Sequence, residues 1–180
     1  VLVGLFLDDY IERISQSGGF LGIAFLVTAA LLYFSQKAKK RAKTIETMSY
    51  TDAAIIGVTQ GIAVMPGISR SGSTTSAGLF LGMEKEDSLR FAFLMSIPVI
   101  LGSAVMGVKD IVSEPEMIAW GPIIAGMIAA GVSGYFAVRF MLNFFKKRSL
   151  NVFAVYTAIL GILILADQLF FQKFFLVFLV

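Results

Sequence analysis

Long apolar stretches separated by short polar breaks make up almost the whole chain. Residues 18–35 form an uncharged apolar run, about the length of helix that crosses a bilayer at roughly 1.5 Å per residue. Residues 91–108, 118–141 and 150–166 repeat the pattern, and Pro98 inside the first of these predicts a kinked helix. Residues 1–7 read as the tail of a further span, and residues 170–180 as a segment too short to cross comfortably. Between 35 and 91 the pattern changes. Two apolar arms, residues 53–64 and 76–83, flank a polar turn. With their flanks, the arms run to about 12–15 residues, or roughly 18–22 Å of helix against a hydrocarbon core of roughly 30 Å. Two full spans do not fit. A re-entrant helical hairpin over residues 52–83 does, with its tip near the middle of the membrane. The expected fold is therefore an all-α polytopic integral membrane protein, with residues 1–180 forming a single membrane domain.

Charge gives this arrangement a direction. Lys37, Lys39, Lys40, Arg41 and Lys43 follow the first full span, and Lys146, Lys147 and Arg148 follow the third. These basic breaks are expected on the cytoplasmic side, and the acidic ones (Asp8, Asp9 and Glu12 beside Arg13; Asp110, Glu114 and Glu116) on the outside. The mixed-sign stretch 84–90 then reads as an inner connector, so the hairpin leaves and re-enters on one face. Arg139 lies close enough to the inner end of its helix to snorkel to the interface. The net charge of +3 comes from these loops. It reports topology, and no nucleic-acid partner is expected.

Composition narrows the chemistry. With 57% hydrophobic and 15% charged residues, the chain lacks the polar surface of a soluble domain. It has no cysteine, which excludes disulfides, zinc-thiolate sites and thiol nucleophiles. It also has no histidine, the commonest general base and metal ligand. Because Val1 opens inside an apolar run, the chain is expected to be the C-terminal part of a longer one. Close helix packing is expected at Gly57 and Gly61, at Gly78 and Gly82, and along Gly126, Ala130 and Gly134. Gln60, alone among apolar neighbours, is expected to bond an adjacent helix.

The hairpin turn carries the most concentrated polar chemistry. Residues 65–75 read Met-Pro-Gly-Ile-Ser-Arg-Ser-Gly-Ser-Thr-Thr. The stretch combines turn formers (Pro66, Gly67, Gly72), a hydroxyl cluster (Ser69, Ser71, Ser73, Thr74, Thr75) and the fixed charge of Arg70. An arginine at that depth is costly unless something offsets its charge, and an anion is the simplest candidate. If Ser73, Thr74, Thr75 and Ser76 open the second arm, their amides and hydroxyls face an oxyanion with the positive end of the helix dipole. Arg70 adds a planar fork suited to phosphate oxygens. The competing reading is structural: the hydroxyls satisfy helix ends and Arg70 pairs with an acidic side chain or with carbonyls. No Asp or Glu lies inside an apolar span, Asp52 standing only at the hairpin's mouth. Any carboxylates for hydrolysis must come from elsewhere.

Residues 60–74, Gln-Gly-Ile-Ala-Val-Met-Pro-Gly-Ile-Ser-Arg-Ser-Gly-Ser-Thr, resemble the Pro-Gly-x-Ser-Arg-Ser-Gly-x-Thr motif of the undecaprenyl-diphosphate phosphatases, the bacitracin-resistance membrane proteins. Residues 78–86 and 90–98 look like that family's following helix. The resemblance implies hydrolysis of an isoprenyl diphosphate lipid to its monophosphate, in the bacterial inner membrane, with a divalent cation (magnesium or calcium). Recycling of that lipid serves cell-wall synthesis and bacitracin resistance. The resemblance also implies two inverted repeats, each with a re-entrant hairpin, the first repeat being incomplete here. The family's first hairpin carries a glutamate pair, a Ser-Ser and a histidine. None of these is present, so no metal ligand is expected within this chain. Gln60 and Val64 keep the spacing of such a pair, but Val64 has no carboxylate, and residues 1–4 against 99–102 leave only a faint trace of the repeat. Carried over by position, Arg70 would clamp the diphosphate. Ser69 and Ser71 would be the candidate catalytic serines, and Gly67, Gly72, Ser73 and Thr74 would join them in binding. A homodimer is a further expectation. The rival reading is a lipid-phosphate transporter or flippase built on the same hairpin.

Overall fold

The computed structural model describes residues 17–38, 42–113 and 120–170, and the regular elements among them are helical. In chain order these are α1 (Gly18–Ser35), α2 (Tyr50–Ile62), α3 (Arg70–Phe80), α4 (Lys85–Ser113), α5 (Trp120–Lys147) and α6 (Asn151–Phe170). Four of them, α1, α4, α5 and α6, are long and apolar enough to cross a membrane. The chain is a polytopic membrane protein. The acidic stretch 8–13, the basic positions 39–41, Glu114 and Glu116, the repeat trace at 1–4 and the segments 1–16 and 171–180 lie outside the described residues.

Several boundaries differ from the sequence reading. Residues 85–90 are not a connector but the opening turns of α4. Glu86 and Asp87 sit in its first turn, where the helix dipole favours them, and Glu86 pairs with Arg90 one turn later. The same helix continues through Pro98 to Ser113, taking Asp110 out of the expected loop. α5 runs past 141 to Lys147, and α6 runs past 166 to Phe170.

Hydrogen bonds and ion pairs gather six helix ends on one side of the molecule. Ser149 at the start of α6 donates to Gln36 Oε1 at the end of α1, 3.3 Å away. Lys146 of α5 reaches Glu86 of α4 at 3.2 Å. The backbone N–H groups of Ala42 and Lys43 donate to the Gly82 carbonyl at 3.0 Å, and Glu84 N–H returns to the Lys43 carbonyl at 2.8 Å. The segment holding α2 and α3 therefore begins and ends at one point. Beside that seam, Lys43 holds Asp52 at 2.9 Å while Ser49 and Asp52 form a reciprocal cap on α2. Lys37, Lys43, Lys85, Arg90, Lys146 and Arg148 all gather at this end, called the basic end below.

From the closed base the hairpin points along α1. Its arms are 13 and 11 residues, about 20 and 16 Å, too short to span. The tip meets α1 part-way along its length. A Cβ on Gly67 would lie 2.8 Å from Ala24 Cβ and 3.2 Å from the Leu21 carbonyl. Ala24 is about 16 Å from the basic end of α1, so the tip reaches the middle of a membrane-spanning helix. α1 and α6 cross in close contact, where a Cβ on Gly161 would come within 2.9 Å of the Gly22 carbonyl. Leu32, Leu79, Leu89, Phe145, Leu150 and Ala154 form the buried core, nearer the basic end.

The small residues divide. Gly78 lets α3 lie against Ser88 of α4, as expected, while Gly82 serves a turn at φ +87° rather than packing an arm. Gly57 makes only ordinary contact with Met95, and nothing lies within 4 Å of a Cβ on Gly61, Gly126 or Gly134. The expected small-residue face of α5 is therefore unpacked among the described residues. Gln60 bonds a neighbouring helix as expected, its Nε2 donating to the Met95 carbonyl at 3.1 Å.

Candidate functional site

The site is the start of α3, and the chain opens that helix earlier than the sequence reading placed it. Ser69 is the N-cap: its extended backbone precedes the helix, and its hydroxyl accepts the Gly72 N–H at 3.1 Å. The first turn is therefore Arg70-Ser71-Gly72, not the residues from Ser73 onward. Serine caps a helix with its own side chain, whereas the later hydroxyls have no extended backbone before them and fall inside the helix.

α1 fixes the loop before this cap. Thr28 donates to the Gly67 carbonyl at 3.3 Å and accepts the Ser69 N–H at 3.1 Å. Gly67 takes φ +82°, a left-handed conformation that its missing Cβ permits, and the same lack leaves room for Ala24. Gly67 thus shapes the turn, and its carbonyl is already bonded. Gly72 is tightly placed as well, since a Cβ there would lie 2.8 Å from Ser69 Oγ.

What remains free is suited to an anion. The N–H groups of Arg70 and Ser71 find no acceptor among the described residues, as expected for the first positions of a helix. The Arg70 guanidinium makes no ion pair or hydrogen bond among them either. The acid partner of the structural reading is therefore not found there. The described carboxylates nearest α3 in sequence, Glu84, Glu86 and Asp87, follow its far end, about 16 Å along the helix from Arg70.

The expected binding residues separate onto two faces. Ser69, Ser71, Gly72 and Thr75 line a cleft of about 260 Å³ whose opposite walls include Phe25 of α1 and Phe145, Phe153 and Tyr156 of α5 and α6. Arg70 does not line this cleft. Residues three, four and seven apart share a helix face, so Arg70 stands with Ser73, Thr74 and Ala77. Thr74 is buried, and its hydroxyl hydrogen is engaged by the Arg70 carbonyl at 2.8 Å. The hydroxyls of Ser73, Thr75 and Ser76 are buried without a partner among the described residues, at 3%, 1% and 1% exposure. Unlike Thr74, these three keep a donor and an acceptor available.

A family model for the bacitracin resistance protein BacA matches residues 1–163. The chain belongs to this family. It is 43% identical over 170 residues to an undecaprenyl-diphosphatase of Carboxydothermus hydrogenoformans, covering 93% of this chain and 65% of that protein. An undecaprenyl-diphosphatase of Parabacteroides distasonis is 46% identical over 172 residues, with 93% and 64% covered. One from Methanothermobacter thermautotrophicus is 43% identical over 171 residues, with 93% and 94% covered. The chain thus spans just under two thirds of the length of most of these BacA-family relatives.

Within this BacA-family chain, the described residues do not fit a divalent cation at the tip. No group of three or more acidic side chains occurs among them, and α3 offers neutral hydroxyls beside a fixed positive charge. Sequence reasoning missed Thr28 and the aromatic wall of the cleft. Thr28 had a readable signal: it is a hydroxyl deep inside the apolar run 18–35, the same kind of signal that marked Gln60. Tyr156 and Phe25 had none, because their shared cleft exists only once α1 and α6 pack together.

Proposed function

We propose that α2 and α3 form the diphosphate-binding re-entrant hairpin of an undecaprenyl-diphosphate phosphatase, which hydrolyses the lipid diphosphate to its monophosphate and inorganic phosphate. The Arg70 guanidinium at the opening of α3, at mid-depth of α1 and without a partner among the described residues, carries this reading. A half-buried arginine with two free amides beside it binds and orients phosphate oxygens and stabilises negative charge that builds up during P–O cleavage. Ser71, exposed and with a hydroxyl that has no partner among the described residues, is better placed to touch substrate than Ser69, whose oxygen is committed to the cap. Ser69 is then a positioning residue. The aromatic cleft beside Ser71 supplies an apolar surface for the first part of an isoprenyl chain.

Hydrolysis also needs a base or a metal-bound water. With no histidine in the chain and no acid cluster among the described residues, those groups and any magnesium or calcium ligands belong to sequence beyond them. The setting we propose is the bacterial plasma membrane, where recycling of the carrier lipid serves wall synthesis and counters bacitracin.

The test is phosphate release by full-length wild type, Arg70→Lys and Arg70→Ala, each normalised to folded, monodisperse protein. Loss of a charge-assisted contact that strengthens in the transition state costs on the order of 3 kcal/mol, roughly a hundredfold in rate. Arg70→Lys is expected to fail too, because a point charge cannot reproduce the fork. Near-normal specific activity in both variants removes Arg70 from the site.

A further inference from the structure

A second cationic feature lies away from the hairpin, between α4 and α5 at the basic end. Arg90, Arg139 and Lys146 line an open groove of about 700 Å³ together with a single acid, Glu86. Glu86 Oε1 is shared between Arg90 and Lys146, one from each helix. Arg139 has no acid. Its Nη1 donates to the Tyr135 hydroxyl, one turn away, at 3.3 Å. Three fixed cations against one carboxylate leave the groove with two positive charges in excess.

The groove is built into the membrane boundary. α5 has 28 residues, about 42 Å, against a hydrocarbon core of roughly 30 Å. Arg139 is eight positions before Lys147, about 12 Å from the helix end, and so lies near the junction of headgroups and hydrocarbon. Deeper along the groove the charges stop. Gly131 and Gly134 form its floor, and nothing lies within 4 Å of where their Cβ atoms would be. A cationic mouth above an uncovered glycine surface, flanked by Tyr135, Val138 and Leu142, suits a lipid with a phosphate at the interface and a chain running inward.

We propose that this groove binds the phosphate headgroup of an anionic glycerophospholipid, held by Arg90, Arg139 and Lys146, with an acyl chain along Gly131 and Gly134. Basic pockets between membrane helices are suited to such headgroups, each cation near the surface contributing about fivefold in affinity. Zwitterionic lipids gain little, because their own ammonium group meets the excess positive charge. This site is separate from the α3 opening and does not depend on the reading given for it.

The experiment is lipid retention by the full-length protein, measured by native mass spectrometry during titration with phosphatidylglycerol or phosphatidylcholine. Arg139→Gln is expected to weaken phosphatidylglycerol binding about fivefold while leaving phosphatidylcholine unchanged, and Arg139→Lys is expected to restore most of it. Lys37→Gln, at the same end but outside the groove, serves as the control. An equal loss in Lys37→Gln would mean diffuse attraction rather than a site and would overturn the proposal. So would displacement of the lipid by inorganic phosphate alone, which would mark a free-anion site. Unchanged binding in Arg139→Gln, as when further chain fills the groove, would overturn it as well.

Discussion

Thr28 uses one hydroxyl to hold both sides of the hairpin tip, as donor to Gly67 and acceptor from Ser69. It is 1% exposed, and its loss leaves two part-buried backbone groups without their partner. Thr28→Val keeps the shape and removes the bonds. It is expected to cost about 1–3 kcal/mol, read as a lower melting temperature in detergent. Gly67→Ala should destabilise as well, since φ +82° disfavours a Cβ by about 1–2 kcal/mol before the contact with Ala24 is counted. Unchanged melting temperatures in both variants would show that the tip does not dock on α1. Arg70 behaves differently at this scale. With no partner among the described residues, its removal should spare folding and reduce turnover.

At the scale of elements, the hairpin depends on its base. The hydrogen bond from Lys43, with those of Ser49, lowers the Asp52 carboxyl from 3.8 to about 2. A carboxyl that is more acidic when folded adds stability that is fully present above its ordinary value and lost as pH falls toward the folded one. The wild-type melting temperature should therefore fall between about pH 4 and pH 2 by more than that of Asp52→Asn. Equal pH slopes for the two proteins would mean that the clamp holds nothing. The same closed base makes a topological prediction. Cysteines at Lys37, Lys85 and Arg148 should all be labelled from one side of the membrane, the cytoplasmic one by the excess of basic residues. Labelling of position 85 from the opposite side would turn the hairpin into two crossings.

The whole molecule shows apolar residues to its surroundings. Ile124, Met127, Ile128 and Phe136 of α5 are all more than half exposed, as suits helices that meet lipid or further protein. The proposed site is equally open-ended: among the described residues it has a fixed charge and hydroxyls but no carboxylate or imidazole to act as base. Residues 1–180 by themselves are expected to release no phosphate from an isoprenyl diphosphate. The Methanothermobacter relative, matched over 94% of its own length, makes that a pointed measurement. Metal-dependent turnover by residues 1–180 would place the missing groups within them.

Much of this was legible in the chain itself. Apolar runs of spanning length can satisfy their backbone only as helices in lipid, so α1, α4, α5 and α6 followed from the pattern alone. The short arms around residues 65–75 could not cross, and the motif there marked Arg70 and its serines. Local order misplaced what neighbours decide. The start of α3 moved to Arg70 because Ser69, held by Thr28 from another helix, took the cap. That shift of one turn rotated the hydroxyls, sending Ser71 and Thr75 to the aromatic cleft and Ser73 and Thr74 to the face of Arg70. The sequence alone determined which residues share the hairpin. Tertiary packing decided which of them share a face, because helix phase depends on where the first turn begins.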